Sequence, residues 1–195
     1  MILHMRAHEM VKRIQFYLGP HNKILDIGSG TCNVAEVIMK KGFKNLTMLD
    51  VADRSFVPRL KAVLYDGRQM PFDNDHFDVA LMLTILHHTE SPESIINEAV
   101  RVASRLIIIE DIFDNVFHKY ATFFFDSLLN LEFFGHPHTN KSDREWRQTF
   151  ENMGLKVVDA KYQYSHIFFK HATYHLEKVS ATVNSAREIE MAVAL

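Results

Sequence analysis

The sequence has few features that would place the protein in an oxidising compartment, in a membrane or on a nucleic acid. Its single cysteine, Cys32, excludes a disulfide within the chain, which is consistent with a cytoplasmic location. No stretch is long and apolar enough to span a membrane, so stable membrane insertion is not expected. The net charge is −2 and no long basic run occurs, so the composition gives no support for nucleic-acid binding.

The composition that is present predicts one domain over residues 1–195. With 195 residues, of which 47% are hydrophobic, the chain can bury a sizeable core. At its start, residues 2–18 have the spacing of an amphipathic helix that ends near Gly19-Pro20. One face of this predicted helix carries the apolar side chains Leu3, Met10, Val11, Ile14 and Leu18.

Residues 24–42 predict a strand, a glycine turn and a helix. The short apolar run Ile24–Ile27 is typical of a buried strand, and Gly28 and Gly30 follow it directly. Helical spacing resumes after residue 33 and stops at Gly42, a candidate C-terminal cap. The two glycines let a ligand approach the backbone, and the start of the helix offers unpaired N–H groups beside it.

Two classes of ligand use such a turn. The dinucleotide fingerprint G-x-G-x-x-G is incomplete here, because Asn33 stands at its third glycine. Instead, Asp26 precedes Gly28 by two residues, and its carboxylate would repel a pyrophosphate but suits a cationic group. Asp50 ends the predicted strand over residues 46–49, at the spacing where nucleotide-binding folds place a ribose-binding carboxylate. Since NAD and S-adenosylmethionine (SAM) both contain adenosine, Asp50 suits either ligand.

Three segments resemble a known family. The D-x-G-x-G turn resembles motif I of the class I (Rossmann-like) SAM-dependent methyltransferases. The run D-G-x-x-x-P-F-x-x-x-x-F-D over residues 66–78 and the L-H-H at 86–88 resemble the type 11 subgroup, which includes ubiquinone- and menaquinone-biosynthesis methyltransferases. The resemblance covers roughly residues 20–178. Cys32 departs from it by replacing the usual glycine, which is tolerated if its side chain points away from the ligand.

The resemblance implies an α/β fold, a three-layer Rossmann-like sandwich. Its seven-stranded, mostly parallel sheet would have the order 3-2-1-4-5-7-6, with strand 7 antiparallel. In this family the carboxylate at Asp50 would bind the ribose, Asp66 would accept from the adenine amino group, and the Gly67 N–H would donate to a ring nitrogen. The full set of cofactor-binding residues expected in this way is Asp26, Gly28, Ser29, Gly30, Asp50, Val51, Asp66, Gly67 and Thr84.

The remaining pattern supplies the other elements of such a sheet. Strands are predicted over 62–65, 77–83 and 106–109 and as a hairpin over 156–177; their alternation with helices predicts parallel pairing. Ser91 is a predicted N-cap before Pro92, and Ser142 with Glu145 is a predicted capping box. Ligands of such sheets bind beyond the carboxyl ends of the strands. We therefore expect one crevice lined by Gly28–Gly30, Asp50, Thr84–His88 and Glu110–Asp111.

Residues 112–141 interrupt the alternation and hold seven of the fifteen phenylalanines. Helical spacing relates Phe113, Phe117, Tyr120, Phe124, Leu128 and Leu131. This aromatic insert would pack on the body, cover the crevice above a partly apolar or aromatic acceptor, or form the face of a homodimer. The pattern leaves these three interpretations open.

The twelve histidines raise the question of a metal ion or a general base. No HExxH motif or Cys/His ligand spacing occurs, so no metal site is predicted. The unperturbed pKa of imidazole lies near neutrality, which makes His87 and His136 the candidate catalytic bases. An ordinary polar role in a loop is the alternative for each.

Together the patterns and the family resemblance predict an enzyme that transfers a methyl group from SAM to a small-molecule acceptor and releases S-adenosylhomocysteine (SAH). A SAM-binding regulatory or partner subunit without turnover is one alternative, since a cofactor site is recognisable and a catalytic base is not. The other alternative is a nucleotide-dependent oxidoreductase. Asp26, Asn33 and the lack of a separate catalytic domain disfavour it.

Overall fold

The computed structural model describes residues 2–113, 141–165 and 169–179, and its strands form a single mixed sheet. The strands are β1 (Ile24–Ile27), β2 (Leu46–Asp50), β3 (Val63–Leu64), β4 (Phe77–Leu83), β5 (Ala103–Ile112), β6 (Leu155–Ser165) and β7 (Phe169–Lys178). Their order is β3-β2-β1-β4-β5-β7-β6. Strands β1 to β5 pair in parallel, whereas β7 runs antiparallel to β5 and β6. This topology confirms the expected fold class.

Helices cover both faces of the sheet. In the described ranges these are α1 (Ile2–Ile14), α2 (Asn33–Lys40), α3 (Pro92–Val102) and α4 (Asp143–Asn152). Alternate side chains of β4 separate the layers, because Leu81 and Leu83 pack with α1 and α2 while Ala80 and Met82 pack with α3 and α4. The central strands are thus buried on both faces, which accounts for their nearly continuous apolar sequence.

Two helix ends follow the sequence signals. At the start of α4, Ser142 Oγ accepts from the Glu145 N–H at 3.3 Å, and Glu145 Oε2 accepts from the Ser142 N–H at 2.7 Å. This reciprocal pair confirms the capping box. After α2, Gly42 has a φ of +100° and donates its N–H to the Met39 carbonyl at 3.1 Å, as a glycine that terminates a helix does.

The structure corrects the predicted N-terminal helix. Helix α1 ends at Ile14 and continues only as a 3₁₀ turn over Gln15–Tyr17, so it is shorter than the predicted 2–18. Leu3 was expected on the buried face but is 49% exposed, and that face instead includes Ala7. The prediction failed because a short amphipathic pattern fixes the helix face only where tertiary packing agrees with it.

Other element ends also differ from the predictions. Strand β3 has two residues rather than four, and β5 has ten rather than four. Ser91 occupies the N-cap position of α3 before Pro92, as predicted, but its Oγ is bonded to Ser94 Oγ at 2.7 Å rather than to a backbone N–H. Within the described ranges, no helix combines the length and the apolar character needed to cross a bilayer. Of the predicted insert over 112–141, residues 114–140 lie outside the described residues; they include His136 and the aromatic stripe except Phe113.

Candidate active site

The glycine turn after β1 is shaped by two left-handed residues and a close neighbour. Gly28 and Gly30 have φ values of +70° and +49°. The Gly28 N–H donates to the Leu49 carbonyl at 2.8 Å, which ties the turn to β2. A Cβ added at Gly28 would lie only 2.9 Å from Ile85 Cγ2. Both the backbone conformation and the lack of space therefore require glycine at position 28.

Cys32 follows the glycine turn, and its side chain lies in the core. It has a φ of +59° at the start of α2, and its side chain is fully buried in a small apolar cluster with Ala35 and Met48. Its Sγ lies 3.9 Å from Ser29 Oγ, and Ser29 is itself buried. The thiol therefore occupies the core, which meets the condition for tolerating cysteine at this position.

Asp50, at the end of β2, is held by backbone donors. Its Oδ2 accepts from the Gly30 N–H at 2.7 Å, and its Oδ1 accepts from the Ala52 N–H at 3.1 Å. The side chain is buried, so these bonds fix its orientation. Sequence reasoning identified Asp50 but missed its bond to Gly30, for which a sequence pattern carries no signal.

Asp26 has a buried carboxylate beside the glycine turn. Its side chain is only 3% exposed, and its Oδ2 has no hydrogen-bond partner in the part of the chain that the structure describes. Burial, and then the neighbouring Asp50 carboxylate, raise the pKa of Asp26 to about 7. A cationic ligand group would provide the missing partner and would lower that pKa.

Val51, Asp66 and Gly67, three of the predicted cofactor residues, lie close together after β2 and β3. Asp66 is exposed, and its Oδ1 accepts from the N–H groups of Arg68 at 2.9 Å and Gln69 at 3.2 Å, which lowers the pKa of Asp66. Gly67 has a φ of +79°, and a Cβ there would lie 3.4 Å from Val51 Cγ1. Since Val51 is 56% exposed, an apolar surface lies beside the Asp66 turn.

Thr84 lies in a strained conformation directly after β4. Its φ is +58°, which is unusual for a β-branched residue and often marks a functional position. The Thr84 N–H donates to the Ile109 carbonyl at 2.7 Å, and its Oγ1 accepts from Arg6 Nη2 at 3.3 Å. The N-terminal helix α1 therefore reaches the carboxyl edge of the sheet, a contact that the sequence did not reveal.

His87, one of the two candidate bases, is buried in an ion-pair geometry. Its Nδ1 lies 2.6 Å from Glu110 Oε2, and Glu110 Oε1 accepts from the Leu86 N–H at 2.7 Å. His87 is 3% exposed and Glu110 is 0% exposed. The structure therefore brings His87 to the carboxyl edge as predicted but holds it within the protein. The other candidate, His136, lies outside the described residues.

A second buried pair lies on the opposite face of β5. Asp111 Oδ1 is 3.3 Å from His171 Nδ1 on β7, and both side chains are buried. Arg13 of α1 lies near this pair, where burial lowers the pKa of Arg13 and the charges of Glu9 and Asp111 oppose that shift. Throughout the described ranges, no group of three or more His, Cys, Asp or Glu side chains could hold a metal ion.

Residues 25–106 match the family described as a methyltransferase domain. The matched segment is less than half of the chain, but it includes both glycines of the turn and every other predicted cofactor residue. A curated relative, an uncharacterized protein of Methanocaldococcus jannaschii, is 31% identical over 88 residues. That alignment covers 44% of this chain and 42% of the relative, so the chain spans less than half of the relative's length.

Solved structures share the fold at low sequence identity. A Bacillus halodurans protein assigned as a methyltransferase has a TM-score of 0.66 at 15% identity, covering 89% of this chain and all of that one. Magnesium protoporphyrin IX methyltransferase of Synechocystis with bound SAH has a TM-score of 0.63 at 12% identity (90% and 83% covered). The [4+2]-cyclase SpnF scores 0.65 at 13% identity (90% and 80% covered). The family match thus identifies residues 25–106 as similar to a methyltransferase domain, and the solved structures show that the chain shares their fold.

Proposed function

We propose that the chain is an enzyme that transfers a methyl group from SAM to a small-molecule acceptor. The observation that carries this proposal is the pair of buried carboxylates beside the glycine turn. Asp50 is locked onto the Gly30 backbone, while Asp26 retains an oxygen without a partner in the described structure. A ligand with ribose hydroxyls and a cationic end would satisfy both.

Asp50 is proposed to bind the ribose. Each carboxylate oxygen can accept two hydrogen bonds, and the backbone of Gly30 and Ala52 takes one on each oxygen. The remaining acceptor capacity matches two neighbouring hydroxyl groups. Because the carboxylate is already fixed, binding would cost little ordering of this side chain.

The adenine is proposed to lie against Val51, beside the Asp66–Gly67 turn. The exposed apolar face of Val51 would contact the ring, while Asp66 and the Gly67 N–H would read its polar edge. The two backbone bonds to Asp66 Oδ1 hold the turn in place for this contact. Ser29 and Thr84 complete the proposed cofactor site as residues of the two turns that face each other.

Asp26 is proposed to face the positively charged end of the cofactor. When bound, SAM supplies a methyl group on a sulfonium, which makes that methyl electrophilic. The chain would then contribute position and exclusion of water, because an in-line methyl transfer depends on the alignment of donor and acceptor. His87 and His136 stay candidates for accepting a proton if the acceptor must lose one; the burial of His87 against Glu110 favours a positioning role for it.

The acceptor is proposed to bind beside the insert over residues 112–141. The insert connects the end of β5 to the start of α4. Its aromatic composition favours a partly apolar or aromatic acceptor. Quinone-like acceptors, which the subgroup resemblance suggests, belong in any screen. A homodimer, a cytoplasmic location and the absence of nucleic-acid binding remain predictions.

Calorimetric titration of the wild-type chain with SAH, NAD and NADP tests this proposal. We expect binding heat with SAH alone. Heat with NAD and none with SAH would favour the oxidoreductase. If SAM binds but no radiolabelled methyl reaches any acceptor in a broad screen, the regulatory or partner subunit becomes the better interpretation. The SpnF neighbour shows why turnover must be measured, since a cyclase shares the fold.

Variants of the insert would separate acceptor binding from assembly. Phe117→Ser and His136→Ala should leave SAH affinity near the wild-type value while changing turnover of an identified acceptor. If they instead convert a dimer into a monomer with turnover intact, the insert is an assembly surface and the acceptor binds elsewhere.

A further inference from the structure

We propose that Glu110 is a positioning residue of the cofactor site, which acts by fixing the turn after β4 so that Ile85 packs over Gly28. The inference rests on the proposed function, because it takes the glycine turn as part of the SAM site. Glu110 was expected to line the crevice but is not one of the nine predicted cofactor-binding residues, and its side chain is fully buried. Its role follows from three contacts that lead from β5 to the glycine turn.

The first contact joins β5 to the turn. Both oxygens of the Glu110 carboxylate are used by consecutive residues, with Oε1 accepting from the Leu86 N–H at 2.7 Å and Oε2 lying 2.6 Å from His87 Nδ1. Leu86 and His87 belong to a short 3₁₀ turn over 86–88. Because all three side chains are buried, solvent does not compete for these bonds.

The second contact anchors the other end of the turn. The Thr84 N–H donates to the carbonyl of Ile109, the residue before Glu110, at 2.7 Å. Thr84 keeps its left-handed conformation, which persists only where the surroundings impose it. Ile85 therefore lies between two attachments to the same stretch of β5.

The third contact carries this geometry to the cofactor site. A Cβ at Gly28 would lie 2.9 Å from Ile85 Cγ2 and 3.1 Å from Ile85 Cδ1, so the Ile85 side chain lies directly against the glycine turn. A small displacement of the 84–88 turn would alter the shape of the space beside Gly28. Glu110 thus controls the site through Ile85, without a contact of its own.

The test measures SAH affinity in the full chain by calorimetry, for Glu110→Ala, Glu110→Gln, Ile85→Ala and the double variant Glu110→Ala/Ile85→Ala. We expect Glu110→Ala to weaken SAH binding about tenfold. Glu110→Gln should restore most of the affinity, because its amide oxygen can still accept from the Leu86 N–H. The double variant should bind no more weakly than Glu110→Ala alone, since both changes act on one linkage.

Asp78→Asn is the matched control. Asp78 Oδ2 also accepts from a backbone N–H, that of Lys23 at 2.7 Å, but at the amino end of β4. Its SAH affinity should equal that of the wild type. Hydrogen exchange should accelerate in peptides over 84–89 of Glu110→Ala and nowhere else.

Three results would overturn the proposal: unchanged affinity in Glu110→Ala, additive effects in the double variant, or a loss of exchange protection across the whole chain. If Glu110→Ala does not fold, Ile85→Ala decides, because unchanged affinity there breaks the linkage at its last contact. A wild-type chain that fails to bind SAH would contradict the proposed function instead, so the two failures are distinguishable.

Discussion

Acidic side chains have different partners in the two halves of the sheet's carboxyl edge. In the half formed by β1, β2 and β3, the carboxylates bond to backbone N–H groups or lack a partner. Asp50 holds the Gly30 and Ala52 N–H groups, Asp66 holds its own turn, and Asp26 Oδ2 has no partner within the described ranges.

In the half formed by β4, β5 and β7, the buried acids lie against histidines, and Glu110 also accepts from the Leu86 N–H. Glu110 lies against His87 on one face of the sheet, and Asp111 lies against His171 on the other. Because consecutive residues of a strand point to opposite faces, β5 places one such pair in each layer. All four side chains are buried.

This difference indicates that the two halves have different roles. A carboxylate that bonds only to backbone N–H groups keeps acceptor capacity for a ligand, whereas Glu110 uses both of its oxygens inside the protein, on the Leu86 N–H and on His87. The first half is therefore suited to binding, and the second half is suited to holding geometry.

Gly28→Ala should cause the largest loss. The left-handed backbone costs an alanine about 1–2 kcal/mol, and the contact with Ile85 adds an overpacking cost of about 1–3 kcal/mol. We expect the free energy of unfolding to fall by about 2–5 kcal/mol and SAH binding to be abolished. Urea unfolding and calorimetry would measure the two effects.

Gly154→Ala separates these two costs. Gly154 has nearly the same φ, +69°, but a Cβ there would meet nothing within 4 Å. It should lose only the backbone term, about 1–2 kcal/mol, and should keep its SAH affinity. Equal losses in both glycine variants would contradict the close packing of Ile85 on the turn.

Asp26→Asn should change the pH dependence of stability. The folded state raises the pKa of Asp26 to about 7, against about 3.9 in an unfolded chain, so the native state holds an extra proton between these values. Stability from this group is complete below about pH 4 and is lost as the pH rises through 7, by at most about 4 kcal/mol. The asparagine variant should therefore be more stable than the wild type at pH 8.

Asp26→Asn should also weaken the binding of SAM, because an amide cannot pair with a cationic group as a carboxylate does. Chemical unfolding at pH 5 and pH 8, with SAM titrations at pH 8, would measure both effects. The exposed Asp53→Asn is the control and should keep the wild-type pH profile. A wild-type stability that rises between pH 5 and pH 8, with Asp26→Asn following the same curve, would show that Asp26 is not the buried acid described here.

Much of this fold could be predicted because its signals are local. The apolar runs of β1 and β4, the glycine turn and the capping box of Ser142 and Glu145 are each encoded within a few residues. The sheet order came from the resemblance, and the structure confirmed it. The predictions that Leu3 is buried and that β3 has four residues were wrong, because tertiary packing decides both.

The sequence was enough to propose residues for the site, but it did not reveal the contacts between them. Asp50 followed from spacing, whereas its bond to Gly30 joins residues 20 positions apart. The Glu110–His87 and Arg6–Thr84 contacts span 23 and 78 positions. Such bonds depend on strand register and leave no periodic trace in the sequence. The Glu110 linkage could therefore be recognised only from the structure.

Asp50→Ala tests the half formed by β1, β2 and β3, with a smaller expected effect on SAH binding than Gly28→Ala. It removes the acceptors for the proposed ribose hydroxyls and for the Gly30 and Ala52 N–H groups, and water will replace part of these bonds. We expect SAH to bind at least about tenfold more weakly, or about 1.4 kcal/mol, with the fold retained. Asp53→Ala, three residues further along, should bind as the wild type does. An unchanged affinity in Asp50→Ala would place the ribose elsewhere.

Thr84→Gly should have the smallest effect on stability. It tests whether the half formed by β4, β5 and β7 positions the cofactor site. Glycine relieves the left-handed strain, about 1–2 kcal/mol, but it adds about 0.5–1 kcal/mol of backbone entropy in the unfolded chain and removes the acceptor for Arg6. The free energy of unfolding should therefore change by less than about 1 kcal/mol. SAH affinity should still fall a few-fold, because glycine loosens the turn that carries Ile85. Asp75→Gly is the control, since Asp75 has a φ of +52° in an exposed turn before β4 and should leave affinity unchanged. If Thr84→Gly gains stability and keeps full SAH affinity, the strain at Thr84 does not serve the cofactor site. The turn between β4 and α3 would then not position the site as proposed.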